Sequence, residues 1–373
     1  MSVMSDSATM TSPLHDRHLA LGAKMADFGG WSMPIEYPGG GVVAEHTAVR
    51  ERVGLFDVSH LGNALVTGPG AKDFLNSCLT NDLDRIEPGR AQYTMCCSSD
   101  GGVVDDMIAY LRSEDEVFLI PNAANTARVV ELLQEAEQRP EDVSVENQHH
   151  DYAILALQGP RVDEVMDELG LPTGHDYMSF VEAQWQGVPV TVCRTGYTGE
   201  RGYELVCASA DAPALWDALT AAMEPLGGLP CGLGARDTLR TEMGYALHGH
   251  ELSDQITPVM GRTGWAVGWG KEAFWGREVL TAQREAKECR LGGGLVVTGR
   301  GIPRAGCRVL DSSGREVGEV TSGTFSPTRK QGIALALLDR GTEQGTELVV
   351  EVRGREVPVE VSKPPFVEGG AAG

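Results

Sequence analysis

Residues 232–249 read GLGARDTLRTEMGYALHG, and the opening Gly-Leu-Gly poses a choice between two fold classes. A Gly-x-Gly run opening a helix is the start of the dinucleotide-binding fingerprint Gly-x-Gly-x-x-Gly, whose third glycine lets the helix pack on its strand. Asp237 stands at that third position, so a doubly wound nucleotide-binding sheet is rejected. No phosphate-binding loop of the Gly-Lys-Ser/Thr type occurs either. The stretch reads instead as a helix that opens on glycines, with Asp237 in its first turn. Arg236 and Arg240 are four residues apart and share one face of it. Two arginines so placed either pair with acids or meet a carboxylate ligand, and spacing alone favours structural pairing.

Outward from this helix, strands and helices mix without strict βαβ alternation, which favours α+β. Helical periodicity covers Glu45 to Arg52, Ala71 to Leu79, Asn125 to Gln138 and Ala212 to Met223. GPRVDEVMDELG (159–170) reads as a helix ending at Gly170. Asp151 to Gln158 reads as an apolar strand, GLFDVSH (54–60) as another, and 188–207 as a hairpin. Residues 1–12 read as a disordered tail, and FGGWSMPIEYPGGG (28–41) as a glycine-rich loop. From Glu278 onward, short β-rich runs alternate with Gly, Pro and Ser turns. That texture predicts a small all-β barrel or sandwich after a boundary near residue 270.

The 373 residues carry a formal net charge of −22, a field that repels a phosphate backbone, so no nucleic-acid partner is expected. No apolar run is long enough to span a bilayer, and the polar start MSVMSDSATMTSP lacks the pattern of a signal peptide. A cytoplasmic location is expected. The eight cysteines include no Cys-x-x-Cys pair and predict free, mostly buried thiols. The nine histidines show no metal spacing, and no Gly-x-Ser-x-Gly elbow surrounds any serine. No metal and no serine or cysteine nucleophile is expected.

Two stretches carry carboxylates where an apolar strand is expected. In SSDGGVVDDMIAYL (98–111), Asp105 and Asp106 interrupt an apolar run after an Asp-Gly turn. Neighbours on a strand point to opposite faces, so the two acids cannot share one proton as a dyad. Strict alternation puts Gly102, Val104, Asp106, Ile108 and Tyr110 on one face, and Val103, Asp105, Met107, Ala109 and Leu111 on the other. Both faces are largely apolar, so a buried acid there needs a partner. Spacing favours a structural role for the pair and does not choose between its members. In TGYTGERGYEL (195–205), three glycines allow close backbone approach or sharp turning, and Tyr197 and Tyr203 offer flat faces. Glu204 sits inside the following strand. Its two oxygens suit paired N–H donors of a flat heterocycle, and an exposed hairpin tip accounts for it equally well.

Taken together, FGGWSMPIEY, GLFDVSHLG, GGVVDDMI, LALQGP, TGYTGERGYE, GLGARDTLRTEMGYALHG, TSGTFSPT and SKPPFV occur in the order seen in one family. Over about residues 13 to 367, the chain resembles the aminomethyltransferases, or T-proteins, of the glycine cleavage system. The resemblance implies a three-domain cloverleaf around a central folate cavity. A discontinuous first domain would take 13–57 and 150–255, an inserted second domain 58–149, and a C-terminal β-barrel 270–373. It implies transfer of the methylene carbon of aminomethyl-dihydrolipoyl H-protein to tetrahydrofolate, a co-substrate, with release of ammonia. Lipoylated H-protein would be the partner, docked through local basic residues because overall charge opposes it. By the motif Gly-Gly-x-x-Asp-Asp, Asp106 matches the catalytic acid and Asp105 a structural one. Glu204 matches the acid that grips the pterin edge. Tyr93, Asn122, Tyr197 and Tyr245 match cavity-lining positions, and Arg236 and Arg290 match arginines at the cavity and its rim. Leu61 and His248 depart from the residues common in the family. Another folate-dependent demethylase of the same superfamily is the nearest alternative. The iron–sulfur-linked folate-binding relatives fit less well, since 236–245 reads RDTLRTEMGY where they carry a cysteine motif.

Overall fold

Residues 24–36 form a hairpin where composition suggested a loop. In the computed structural model, which describes residues 9–370, β1 (Met10–Thr11) runs parallel to β3 (Trp31–Glu36), and β2 (Lys24–Phe28) pairs antiparallel with β3. Phe28 pairs with Trp31, leaving Gly29 and Gly30 as a two-residue turn with φ of 60° and 87°. Two successive positive φ values are the primed-turn geometry that glycine permits. Pro34 and the largely exposed face of β2 hide the alternation that marks a strand. The expected tail is corrected likewise at its end. Ser12 is buried and donates to Asp57, which also accepts from His18; residues 1–8 lie outside the described residues. Helix α1 (His15–Ala20) lies between β1 and β2, and helix α2 (Gly41–Glu51) and strand β4 (Gly54–Asp57) follow β3.

The chain then builds a five-stranded antiparallel sheet. It contains β5 (Ala64–Thr67), β6 (Arg90–Cys97), β7 (Val103–Ser113), β8 (Glu116–Ile120) and β9 (Ser144–Asn147), in the order β6-β7-β8-β5-β9. Helices α3 (Ala71–Cys78) and α4 (Thr126–Glu135) cover one face, burying Phe74, Leu75, Val129 and Leu133 against Ala109, Leu111 and Leu119.

A six-stranded sheet follows, in the order β11-β12-β13-β10-β4-β14. Its strands are β10 (Tyr152–Gln158), β11 (Phe180–Trp185), β12 (Val188–Cys193), β13 (Gly202–Ala208) and β14 (Leu229–Cys231), with β4 supplied from upstream. Only the edge pairing of β14 with β4 is parallel, which fits α+β rather than a doubly wound sheet. Helices α5 (Val162–Glu168) and α6 (Ala212–Met223) bury Val165, Leu215 and Trp216 on one face. The apolar periodicity of 212–223 and the helix coincide end to end.

Helix α7 (Leu233–Met243) is the helix of the opening stretch, and its glycines serve packing. A Cβ at Gly232 would lie 2.3 Å from the Ile35 carbonyl carbon, and one at Gly234 would lie 2.6 Å from a Val42 methyl. The Gly232 N–H donates to buried Glu45 at 2.9 Å. The bare backbone therefore lets β3 cross the helix start, and no phosphate is needed to explain it. Asp237 falls beyond the first turn, because the helix begins at Leu233. Arg240 is the structural arginine: it pairs with Asp237 at 2.6 Å and Glu251 at 2.9 Å, and bonds Ser322 at 2.8 Å.

Beyond the boundary expected near residue 270, one more helix intervenes, α8 (Arg277–Ala286). The barrel then closes through β15 (Leu291–Val297), β16 (Arg308–Leu310), β17 (Glu316–Ser326), β18 (Gln331–Leu338), β19 (Glu347–Val352) and β20 (Arg355–Ser362). Its strands pair around a ring, so the all-β segment is a barrel and not a sandwich. All eight cysteines are free and six are buried, as composition predicted. Among the described residues, no helix is long and apolar enough to cross a membrane.

Candidate active site

Between the two open sheets and the barrel lies a cavity of about 1390 Å³. Seven of the eight residues singled out from the sequence line it: Tyr93, Asp106, Asn122, Tyr197, Glu204, Arg236 and Tyr245. The eighth, Arg290, does not. Its guanidinium is held at 2.9 Å by Asp339, which itself lines the cavity, and at 3.5 Å by Glu316. Arg290 is thus one ion pair removed from the cavity wall.

The acids of β7 owe their placement to a bulge. Cys97 pairs with Val103 and Cys96 with Asp105, leaving Val104 as the extra residue. Val104 therefore joins Met107 and Ala109 under the helices, while Val103 packs with Met95 and Cys97 in another cluster. The strict alternation expected from Gly102 onward holds only from Asp105, because a bulge resets the side-chain period. From there Asp105 turns away from the cavity and Asp106 into it. A Cβ at Gly102 would lie 1.9 Å from the Asp254 carbonyl oxygen. Gly102→Ala is accordingly expected to displace the 253–254 backbone and cost about 1 to 3 kcal/mol, read as a lower urea midpoint.

Asp105 is fully buried and accepts three N–H groups, each at 2.8 Å: the backbone and side-chain nitrogens of Asn122 and the side-chain nitrogen of Asn125. Asp106 accepts from the Tyr93 hydroxyl at 2.8 Å and from Asn122 Nδ2 at 3.1 Å. The acids face opposite ways, as expected, yet one carboxamide touches both. Burial and then the charge of Asp106 push Asp105 up to about 8. Burial also raises Asp106, against hydrogen bonds from Tyr93 and Asn122 and the nearby His248. Two negative charges so close in a dry site are costly, so the pair titrates as a unit.

The remaining groups line the same cavity. Glu204, on β13, is nine-tenths buried, and its Oε2 accepts from Thr195 Oγ1 at 2.6 Å. Thr195 in turn lies 3.2 Å from the Tyr110 hydroxyl. This chain fixes the carboxylate, and among the described residues Oε1 has no hydrogen-bond partner. The Arg236 guanidinium lies 4.6 Å from the centre of the Tyr197 ring. It has no hydrogen bond or ion pair among the described residues. Tyr197 and Tyr245 stack with centroids 5.7 Å apart, and the Tyr197 hydroxyl donates to the Ala246 carbonyl. The glycines beside them approach protein, not open space: a Cβ at Gly196 or Gly202 would strike the Gln158 carboxamide at 2.2 or 2.3 Å.

Sequence reasoning missed several wall residues. Trp265 is 68% exposed and stacks on Tyr93 with centroids 5.3 Å apart, at an angle of 26°. Its signal was the first of four aromatics in the glycine-rich stretch GRTGWAVGWGKEAFWG (261–276). His60 lines the cavity, and burial, then the charge of Arg236, hold it down at about 3, so it is neutral. Asn125 and His248 complete the wall beside Asp105, and no sequence periodicity marks either. Among the described residues no cluster of metal-ligating side chains occurs.

The arrangement offers a half-buried acid held by a tyrosine, a fixed carboxylate, a guanidinium with no ion pair among the described residues, and aromatic walls. These suit a flat, polar heterocycle with nitrogen atoms presented to Asp106. Comparison with known proteins points the same way. Residues 14–271 match the model of the GCVT N-terminal domain, and residues 293–368 match that of the glycine cleavage T-protein C-terminal barrel domain. The chain is 63% identical to an aminomethyltransferase of Frankia alni over 356 residues, 95% of this chain and 97% of that one. It is 58% identical to the Mycobacterium avium aminomethyltransferase over 367 residues, 98% of this chain and 99% of that one. The crystal structure of glycine cleavage system aminomethyltransferase T from Bartonella henselae superposes with a TM-score of 0.90 at 32% identity, covering 97% of this chain and 99% of that one.

Proposed function

The chain belongs to the glycine cleavage T-protein family, and from that premise we propose that its cavity binds tetrahydrofolate and transfers to it the carbon of an aminomethyl group. The protein is an aminomethyltransferase of the glycine cleavage system. The donor in this reading is the aminomethylated lipoyl arm of H-protein, reaching the cavity from its mouth in the cytoplasm. In this reading the three units are 13–57 with 150–255, 58–149 and 270–373, and the cavity is the place where they meet.

In the reaction, two folate nitrogens form bonds to the methylene carbon, while its bonds to the amine nitrogen and the lipoyl sulfur break. The two protons lost from the folate nitrogens leave on ammonia and on the lipoyl thiol, so the step balances without an oxidant or a metal. Asp106 is the group that holds and moves a proton at the reacting nitrogens. Burial raises its proton affinity toward working pH, where a shuttling acid is most effective. Glu204 grips the pterin edge through Oε1, which has no hydrogen-bond partner among the described residues. Tyr197, Tyr245 and Arg236 supply flat surface and positive charge, and Asn122 and Tyr93 orient Asp106.

The observation that supports this reading is the convergence, in one cavity, of a Tyr93-held Asp106 with a carboxylate oxygen and a guanidinium that have no hydrogen-bond or ion-pair partner among the described residues. The test is ammonia release from aminomethylated H-protein, with and without tetrahydrofolate. Folate-dependent release is expected. A chain that binds folate, releases no ammonia and instead demethylates a methylated amine or sulfonium donor would overturn it. Glu204→Gln is expected to weaken tetrahydrofolate binding about 10- to 100-fold, the worth of one charge-assisted hydrogen bond, as read by calorimetry.

A further inference from the structure

His248 lines the cavity in the segment after α7, and its two ring nitrogens face different kinds of partner. Nε2 lies 2.9 Å from the Val103 carbonyl oxygen, and Nδ1 lies 3.1 Å from Asn125 Nδ2. A carbonyl only accepts, so Nε2 carries the hydrogen; an amide NH₂ only donates, so Nδ1 is bare. The two partners together select the neutral Nε2–H tautomer. The second N–H of Asn125 goes to Asp105 Oδ1 at 2.8 Å. That same oxygen takes Asn122 Nδ2, which also reaches the Asp106 side chain at 3.1 Å and its carbonyl at 2.9 Å. His248, Asn125, Asp105, Asn122 and Asp106 thus form one unbroken series of hydrogen bonds.

The series has a direction. A proton arriving at Nδ1 makes both ring nitrogens donors and sets Nδ1–H against the Asn125 NH₂. The amide must then turn its oxygen toward the ring. That oxygen also comes to face Asp105 Oδ1, a contact that is favourable only if Asp105 takes a proton too. Asp105 then no longer accepts freely from Asn122, and the carboxamide that holds Asp106 loses its anchor.

We propose that His248 is a positioning residue for aminomethyl transfer, its neutral tautomer fixing Asp106 through Asn125, Asp105 and Asn122. The inference rests on the reading of Asp106 as the reacting acid. The other ionisable groups around the ring are accounted for. Tyr93 on β6 is bonded to Asp106. In the 248–254 segment, Glu251 is paired with Arg240 and Asp254 with Arg128 of α4. His250 is bonded to the Thr321 carbonyl.

The experiment is kcat and KM against pH for wild type, His248→Gln and His248→Asn. Neither carboxamide can gain a proton, and each keeps part of the hydrogen bonding. Between about pH 8 and about pH 6, wild type is expected to lose kcat about tenfold, with two protons taken up together, and both variants about threefold with one. The change should appear in kcat and leave KM for tetrahydrofolate on its wild-type course. In wild type, ¹⁵N shifts of the His248 ring should report the Nε2–H tautomer near neutrality, whether or not the variants fold. Identical acid limbs in all three proteins, or an Nδ1–H tautomer, would overturn the proposal. Full turnover by Asp106→Asn would instead overturn the reading beneath it, so the two failures are told apart.

Discussion

Asp106→Asn is expected to lower folate-dependent ammonia release about 1,000-fold, with tetrahydrofolate affinity within about threefold of wild type. The carboxamide has the shape of the carboxyl and can still meet the Tyr93 hydroxyl, which lies 2.8 Å from Asp106 Oδ2. What it lacks is the ability to hold a proton and give it up. Shape and folate contacts survive while proton movement at the reacting nitrogens does not, so the loss falls on kcat. The substitution also removes the neighbouring charge that helps push Asp105 up to about 8. Asp105 should then titrate lower, visible in carboxyl ¹³C shifts. Turnover within about threefold of wild type would show that Asp106 is not the proton-moving group.

The largest loss of stability is expected from Glu242→Ala, about 3 to 5 kcal/mol, the cost of stranding buried partners. Glu242 is fully buried on α7 and joins three parts of the chain. Arg50 of α2 lies 2.8 Å from it and His46 of the same helix 3.3 Å away. From the barrel side, Ser326 donates at 2.5 Å and the Thr328 hydroxyl at 3.0 Å. Burial alone would raise its pKa, yet His46, Ser326 and Arg50 together hold it down at about 2. A carboxylate depressed from its ordinary 4.5 contributes stability that is complete above about pH 4.5 and lost as pH falls toward 2. Urea midpoints at about pH 7 should separate wild type from Glu242→Ala widely, and the gap should shrink as the pH approaches 3. A loss below about 1 kcal/mol at neutral pH would mean that Arg50 finds compensation in Glu200, which already lies 2.8 Å from it.

The elements that could be read from the sequence share one property: their signal is local. Helix α6 coincides with its apolar periodicity because Leu215, Trp216 and Leu219 recur on one buried face. The β12–β13 hairpin and the C-terminal barrel announce themselves by β-branched runs between turns. The β2–β3 hairpin was hidden because β2 is mostly exposed and β3 is interrupted by Pro34. The β7 bulge was hidden because nothing in Val103-Val104 distinguishes a paired residue from an extra one.

The amino-acid sequence by itself determined the fold class, the placement of most helices, the barrel, and the absence of a dinucleotide fingerprint at Asp237. Its ordered motifs also pointed to the family and to Asp106 and Glu204 within it. Only the tertiary structure decided which arginine of α7 faces the cavity, which face each β7 acid takes, and that Asn122 ties those two acids together. It also set Arg290 one ion pair behind the cavity-lining Asp339 and added Trp265, Asn125 and His248 to the wall. The physical reason is that Asp106, Glu204, Arg236 and His248 stand on separate elements, and their meeting depends on how two sheets and a barrel pack. Periodicity along a chain reports which side of an element is buried; it carries no information about which buried sides converge.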